Sequence, residues 1–110
     1  EGVKIPHEPA GSRCNYQSFV VLLDKGIDRD YVIQKIREEG IETTLGTYAM
    51  HVQPAFVKYN HQSKEFVHAY AAQQQSLTLP LLPNMSAEVI KRIAKSLQKA
   101  LDANRTYHLH

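Results

Sequence analysis

The chain has 110 residues, of which 43% are hydrophobic and 22% charged, with a formal net charge of +2 and a single cysteine. That is one domain's worth of chain, able to bury about two-thirds of its unfolded surface without staples. The near-neutral charge makes no electrostatic case for nucleic acid or an anionic membrane, no apolar run approaches the roughly 20 residues of a membrane span, and Cys14 has no partner for an internal disulfide, which favours a reducing, cytoplasmic setting.

The opening EGVKIPHEPAG is polar and Pro-rich, unlike a signal peptide, and lacks an initiator Met. It fits a chain cut from something longer, and a processed chain would look the same. Residues 1–13 read as an extended linker leading into the domain. YQSFVVLL, residues 16–23, is the strongest strand signal; its continuous apolar end, Phe19 to Leu23, predicts a central strand covered on both sides.

The spacing predicts a helix over 28–39. Asp28 can cap its free N–H groups, Ile27 and Val32 can staple its entry, Val32, Ile33 and Ile36 form an apolar stripe, and Gly40 suits a left-handed C-terminus. A strand then starts at Ile41, where Ile41, Thr43 and Leu45 alternate with Glu42 and Thr44. Gly46 breaks it and Pro54 closes the stretch. Between them Thr47, Tyr48, His51 and Gln53 supply a hydroxyl, a phenol, an imidazole and an amide. A strand giving way to such a segment is a common way to build a binding edge; an ordinary loop around a half-buried Tyr reads the same by spacing.

Residues 53–62 are the least regular, with Phe56, Val57 and Tyr59 as possible anchors. A second helix is expected over 64–75, capped by Ser63, with Phe66, Val67, Ala69 and Tyr70 on its buried side and the QQQ run exposed. SLTLPLL, residues 76–82, alternates Leu77, Leu79 and Leu81, and Pro80 restricts it to an edge or ends it. The last helix is expected over 86–103: Ser86 caps it, Met85 and Ile90 can staple it, Val89, Ile90, Ile93, Leu97 and Leu101 recur at threes and fours, and Lys91, Arg92, Lys95 and Lys99 form a solvated face. Asn104 can end it, leaving residues 105–110 as a frayed tail. The order is β-α-β-loop-α-β-α: a two-layer α/β (α+β) domain with a small mixed or antiparallel sheet of three or four strands and three helices mainly on one face.

No nucleophile triad, P-loop or dinucleotide fingerprint is present. His51, His61 and His68 match no short metal motif, His108 and His110 lie in the expected tail, and no metal is expected. Cys14 reads as a small packed thiol, although Arg13 is its neighbour. By residue chemistry alone the chain is an α/β domain with one candidate binding edge at residues 47–53.

Four segments add to this: NYQSFVVLLD from Asn15, GIDRDYVIQKIREEGIETTLGTYAMHVQP from Gly26, SLTLPLLPNMS from Ser76, and the helix that follows directly. In this order they resemble the C-terminal small domain of the DegT/DnrJ/StrS family of pyridoxal-phosphate sugar aminotransferases, over nearly all of residues 13–101. The resemblance implies a fold-type I small domain at residues 14–104, a linker from a missing N-terminal large domain at residues 1–13, and a tail at residues 105–110. It implies a parent enzyme that moves an amino group from a donor such as glutamate to a nucleotide-linked keto sugar, works as a homodimer, and serves amino sugar and polysaccharide or antibiotic biosynthesis. The large domain would hold pyridoxal 5'-phosphate on its lysine, so no cofactor binding and no catalytic residue is expected in this fragment, which would help close the substrate cleft. Tyr48 matches the family's loop Tyr and His51 its following His, with Gln53 and Pro54 next; Thr47, Tyr48, His51 and Gln53 are thus the substrate-binding candidates. Thr47 stands where many members have His, the interval from Tyr48 to His51 is one residue shorter than the common pattern, and Asn84 replaces the usual Gly. A free-standing binding or regulatory module of the same fold is the alternative.

Overall fold

A computed structural model describes residues 1–59 and 65–109. Its elements are β1 (Val3–Lys4), β2 (Phe19–Leu23), α1 (Arg29–Glu38), β3 (Thr44–Leu45), two 3-10 turns (Met50–Val52 and Val57–Tyr59), α2 (Val67–Gln75), β4 (Ser76–Leu79) and α3 (Ala87–His108). The strands form one antiparallel sheet in the order β1-β2-β4-β3. The expected α+β architecture is therefore present, with a fourth strand that comes from the stretch read as a linker.

Register sorts the side chains. Val21 lies opposite Leu77, Phe19 opposite Leu79 and Val3 opposite Leu23, so these share one face. Helices α1 and α3 pack together on it, and Val21, Leu23, Val32, Ile36, Ile41, Leu77, Leu97, Ala100 and Leu101 close the core. The other face carries Lys4, Leu22 and Ser76 in one row and Val20, Thr78 and Thr44 in the next. Leu22 is 39% exposed, so β2 is central but not covered on both sides. The continuous apolar run hid an alternation that only the register reveals.

Helix α1 starts as its sequence dictates. The Asp28 carboxylate accepts from the Tyr31 N–H at 3.1 Å, and Gly40, at φ 78°, lets the Gly40 and Ile41 amides return to the Arg37 and Ile36 carbonyls. That return shortens the next strand. Ile41 is still tied to the helix and sits in the core, so β3 pairs only through Thr44 and Leu45.

Helix α3 differs at both ends. Ser86 caps it by accepting from the Val89 N–H at 3.2 Å, but Val89 and Ile90 are exposed, Ile90 lining an open apolar groove with Phe19 and Leu79 of the sheet; the buried face runs through Leu97, Ala100, Leu101 and Asn104. Asn104 does not end the helix. It is buried, and the helix runs to His108, where Tyr107 stacks on Tyr31 at 5.3 Å and Arg105 reaches the Glu1 carbonyl. The expected tail is thus helical to residue 108, and His110 lies outside the described residues. The basic face is also partly engaged: Arg92 donates to the Glu39 carbonyl and Lys99 pairs with the Glu39 carboxylate, fastening the end of α1 to α3.

Pro80 ends β4 rather than making it an edge, since β4 lies between β2 and β3. Helix α2 begins at Val67 without a side-chain cap; the proposed cap Ser63 and start Lys64, like His61, lie outside the described residues. Its expected apolar side is not buried: Phe66, Val67 and Tyr70 are all more than a third exposed. The sheet's helix-covered face is filled by α1 and α3, which leaves α2 beside the loop rather than on the core.

Candidate functional site

The loop after β3 is built on two side chains of the α2–β4 junction. Ser76, buried at the first position of β4, accepts through Oγ from the Gly46 and Thr47 N–H groups, each at 3.1 Å, and its carbonyl accepts from Gly46 as well. Gly46 has to be glycine for this approach. A Cβ there would lie 2.7 Å from Ser76 Cβ and closer still to Val20 Cγ1. Three residues before Ser76, Gln73 Oε1 accepts from the Ala49 N–H at 2.6 Å and from Gln53 Nε2 at 3.0 Å. Gln53 Nε2 also reaches the Ala49 carbonyl at 3.2 Å, and the Gln73 carbonyl accepts from Arg29 of α1.

Between these fastenings the chain turns outward. Thr47 is exposed and Tyr48 is 68% exposed, whereas Ala49, next to them, is buried at 1%. Tyr48 thus projects from a backbone held on both sides. His51, on the 3-10 turn, points the other way. It is 6% exposed, packs on Phe66 at 5.1 Å and Tyr70 at 6.3 Å, and its Nε2 has no hydrogen-bond partner among the described residues. Beside it lies a cavity of about 300 Å³ lined by Met50, His51, Phe56, Tyr59, Phe66 and Ala69.

The four candidates therefore come together on one loop but in two layers. Thr47 and Tyr48 form the outer one; His51 and Gln53 lie behind, the first buried and the second bonded to Gln73 and Ala49. Sequence reasoning missed Ser76 and Gln73. The QQQ run was expected to be exposed, but Gln73 is half-buried. Helical phase could have marked it, because Phe66, Tyr70 and Gln73 fall at spacings of four and three on one face. That face meets the loop.

A family model for the DegT/DnrJ/EryC1/StrS aminotransferases matches residues 1–98. The chain belongs to this family. Among solved structures it superposes on the sugar-aminotransferase-type protein Spr1654 of Streptococcus pneumoniae in its PMP form, with a TM-score of 0.89 at 15% identity over 99% of this chain. It is also similar to the aminotransferase TlmJ of Streptoalloteichus hindustanus (TM-score 0.77, 23% identity, 94% of this chain) and to Helicobacter pylori PseC, an aminotransferase involved in the biosynthesis of pseudoaminic acid (TM-score 0.75, 14% identity, 84% of this chain). The matches cover 28%, 27% and 25% of those proteins, so the chain spans about a quarter of their length. At these identities the likeness carries the fold.

The PLP form of Spr1654 matches as well, with a TM-score of 0.83. The loop itself does not fit a complete pyridoxal-phosphate site. Such a site needs a lysine amine for the imine and an acid facing the pyridine nitrogen, and residues 46–53, GTYAMHVQ, contain neither. What the loop offers is a hydroxyl, a phenol, an imidazole and an amide on a braced backbone. Among the described residues no helix is long and apolar enough to cross a membrane, and no group of three His, Cys, Asp or Glu is gathered for a metal ion.

Proposed function

We propose that this chain is the small domain of a sugar aminotransferase and that its residue 46–53 loop forms one wall of the cleft that receives the amino-accepting sugar. The observation that supports this is the outward Tyr48 phenol on a backbone fastened at Gly46, Thr47 and Ala49. A phenol and the Thr47 hydroxyl both donate and accept, which suits them to sugar hydroxyls. Rigid placement of such groups lowers the entropic cost of orienting a substrate. His51 and Gln53 complete the edge from behind, and His51 Nε2 has no hydrogen-bond partner among the described residues.

The reaction is transfer of an amino group from an amino acid such as glutamate to a nucleotide-linked keto sugar. Pyridoxal phosphate, held by a large domain that precedes this one, supplies the imine chemistry; this chain's residues bind, orient and exclude water. Residues 1–13 lead in from that domain and add the edge strand β1 to the sheet, and residues 14–104 form the body of the small domain. Met50, Val57 and Tyr59, all more than half exposed around the loop, fit a face that the rest of the polypeptide or a second subunit covers. A cytoplasmic homodimer making amino sugars for polysaccharides accords with this reading.

The test is turnover of the intact protein with pyridoxal phosphate, glutamate and candidate nucleotide keto sugars, comparing Tyr48→Phe and His51→Ala with wild type. Cofactor absorbance should persist in both variants while sugar-dependent turnover falls. Unchanged turnover in both would refute the assignment of the loop.

A further inference from the structure

We infer that Gln73 is the positioning residue of the substrate-facing loop, holding Tyr48 in register through its amide oxygen. This rests on the reading of the loop given above and adds to it a residue on another element. The geometry is specific. One oxygen takes both the Ala49 N–H, the amide directly after Tyr48, and the Gln53 side-chain amide, which closes the loop's far end. Gln53 in turn reaches back to the Ala49 carbonyl. Ala49 therefore has its N–H and its carbonyl both engaged by this pair of glutamines, and it is buried at 1% although Tyr48 and Met50 on either side are exposed.

The same residue ties the loop to the helix layer. The Gln73 backbone carbonyl accepts from Arg29, whose side chain is only 10% exposed and sits at the start of α1. With Ser76 holding Gly46 and Thr47, the α2–β4 junction grips the loop on both sides of Tyr48. Ser76 fixes where the loop leaves the sheet, and Gln73 fixes how far the phenol is carried from it. Both bonds to the Gln73 side chain use it as an acceptor, so a carboxylate can replace the amide there, but a thioether cannot.

The experiment compares Gln73→Met, Gln73→Glu and Tyr48→Phe in the intact protein. It reads amide hydrogen exchange over residues 46–53, KM and kcat for the nucleotide keto sugar, and the rate of the half-reaction with glutamate. Gln73→Met should speed exchange at the loop by about tenfold and raise the sugar KM by a similar factor, with the glutamate half-reaction unchanged. Gln73→Glu should retain both values near wild type. A raised sugar KM in Tyr48→Phe with no change in Gln73→Met would overturn the positioning role alone. No change of KM in either variant, with exchange faster in Gln73→Met, would overturn the substrate-facing reading and this inference with it. Equal losses in Gln73→Met and Gln73→Glu would show that packing, not the accepted hydrogen bonds, is what the site requires, and would also overturn it.

Discussion

Gln73 Oε1 lies 2.6 Å from the Ala49 amide nitrogen, and this hydrogen bond crosses from helix α2 to the loop that carries Tyr48 and His51. Together with the Ser76 hydroxyl it makes a loop of irregular backbone behave as part of the scaffold. Buried backbone N–H groups need partners, and here two side chains provide them where a longer β3 would otherwise have done so.

The close approach of Gly46 to β4 gives the first prediction. Gly46→Ala places a methyl group against Ser76 Cβ and Val20 Cγ1. The strands cannot separate without breaking the Gly46–Ser76 bonds, so the change should cost about 1–3 kcal/mol, the usual range for overpacking. Urea denaturation of wild type and variant measures it; an unchanged midpoint would contradict the packing described.

Tyr48 should separate stability from activity. Its ring is mostly exposed, so Tyr48→Phe should leave stability within about 0.5 kcal/mol. Loss of one hydrogen bond to a sugar should lower kcat/KM for the nucleotide sugar by about tenfold. Thermal unfolding and steady-state kinetics on the same preparation check both halves.

Helix α3 offers a paired test of which side is core. Leu101 is 2% exposed and Val89 43% exposed, although both belong to one apolar stripe in the sequence. Leu101→Ala should cost about 2–5 kcal/mol. Val89→Ala should lie within about 0.5 kcal/mol of wild type. Equal costs would mean that the first turn of α3 packs more closely than described.

Glu39 makes stability depend on pH. Its hydrogen bond with Lys99 is the main cause that lowers its carboxyl pKa below the ordinary value. A depressed carboxylate pKa adds stability that is present above the unfolded-state value and is lost as pH falls through the folded-state value. The difference in urea midpoint between wild type and Glu39→Gln should therefore be present at neutral pH and close in the acidic range below the usual glutamate pKa. A difference that persists there unchanged would mean the charge plays no part.

What could be read from the sequence follows from how local each signal is. The Asp28 and Ser86 caps, the Gly40 turn and the β-α-β order needed only nearby residues, and all are present. The breadth of coverage of β2, the length of β3 and the burial of α2 depend on which elements meet, which periodicity does not report. The run at residues 19–23 was too apolar to show its exposed face, and Leu22 is the residue that reveals it. Asn104 reads as a helix end by its type, yet the packing of α3 buries it and Tyr107 on Tyr31 carries the helix onward. The candidate loop was legible because Thr, Tyr, His and Gln cluster between a Gly and a Pro. Its braces were not, because Gln73 and Ser76 lie twenty or more residues away and resemble ordinary polar residues.

The most direct test of a substrate-facing loop is amide hydrogen exchange of the intact, cofactor-loaded protein with and without a nucleotide keto sugar that it turns over. The expected result is added protection over residues 46–53, centred on Thr47 and Tyr48. Protection that appears elsewhere in the protein while this loop exchanges at the same rate in both conditions would contradict it.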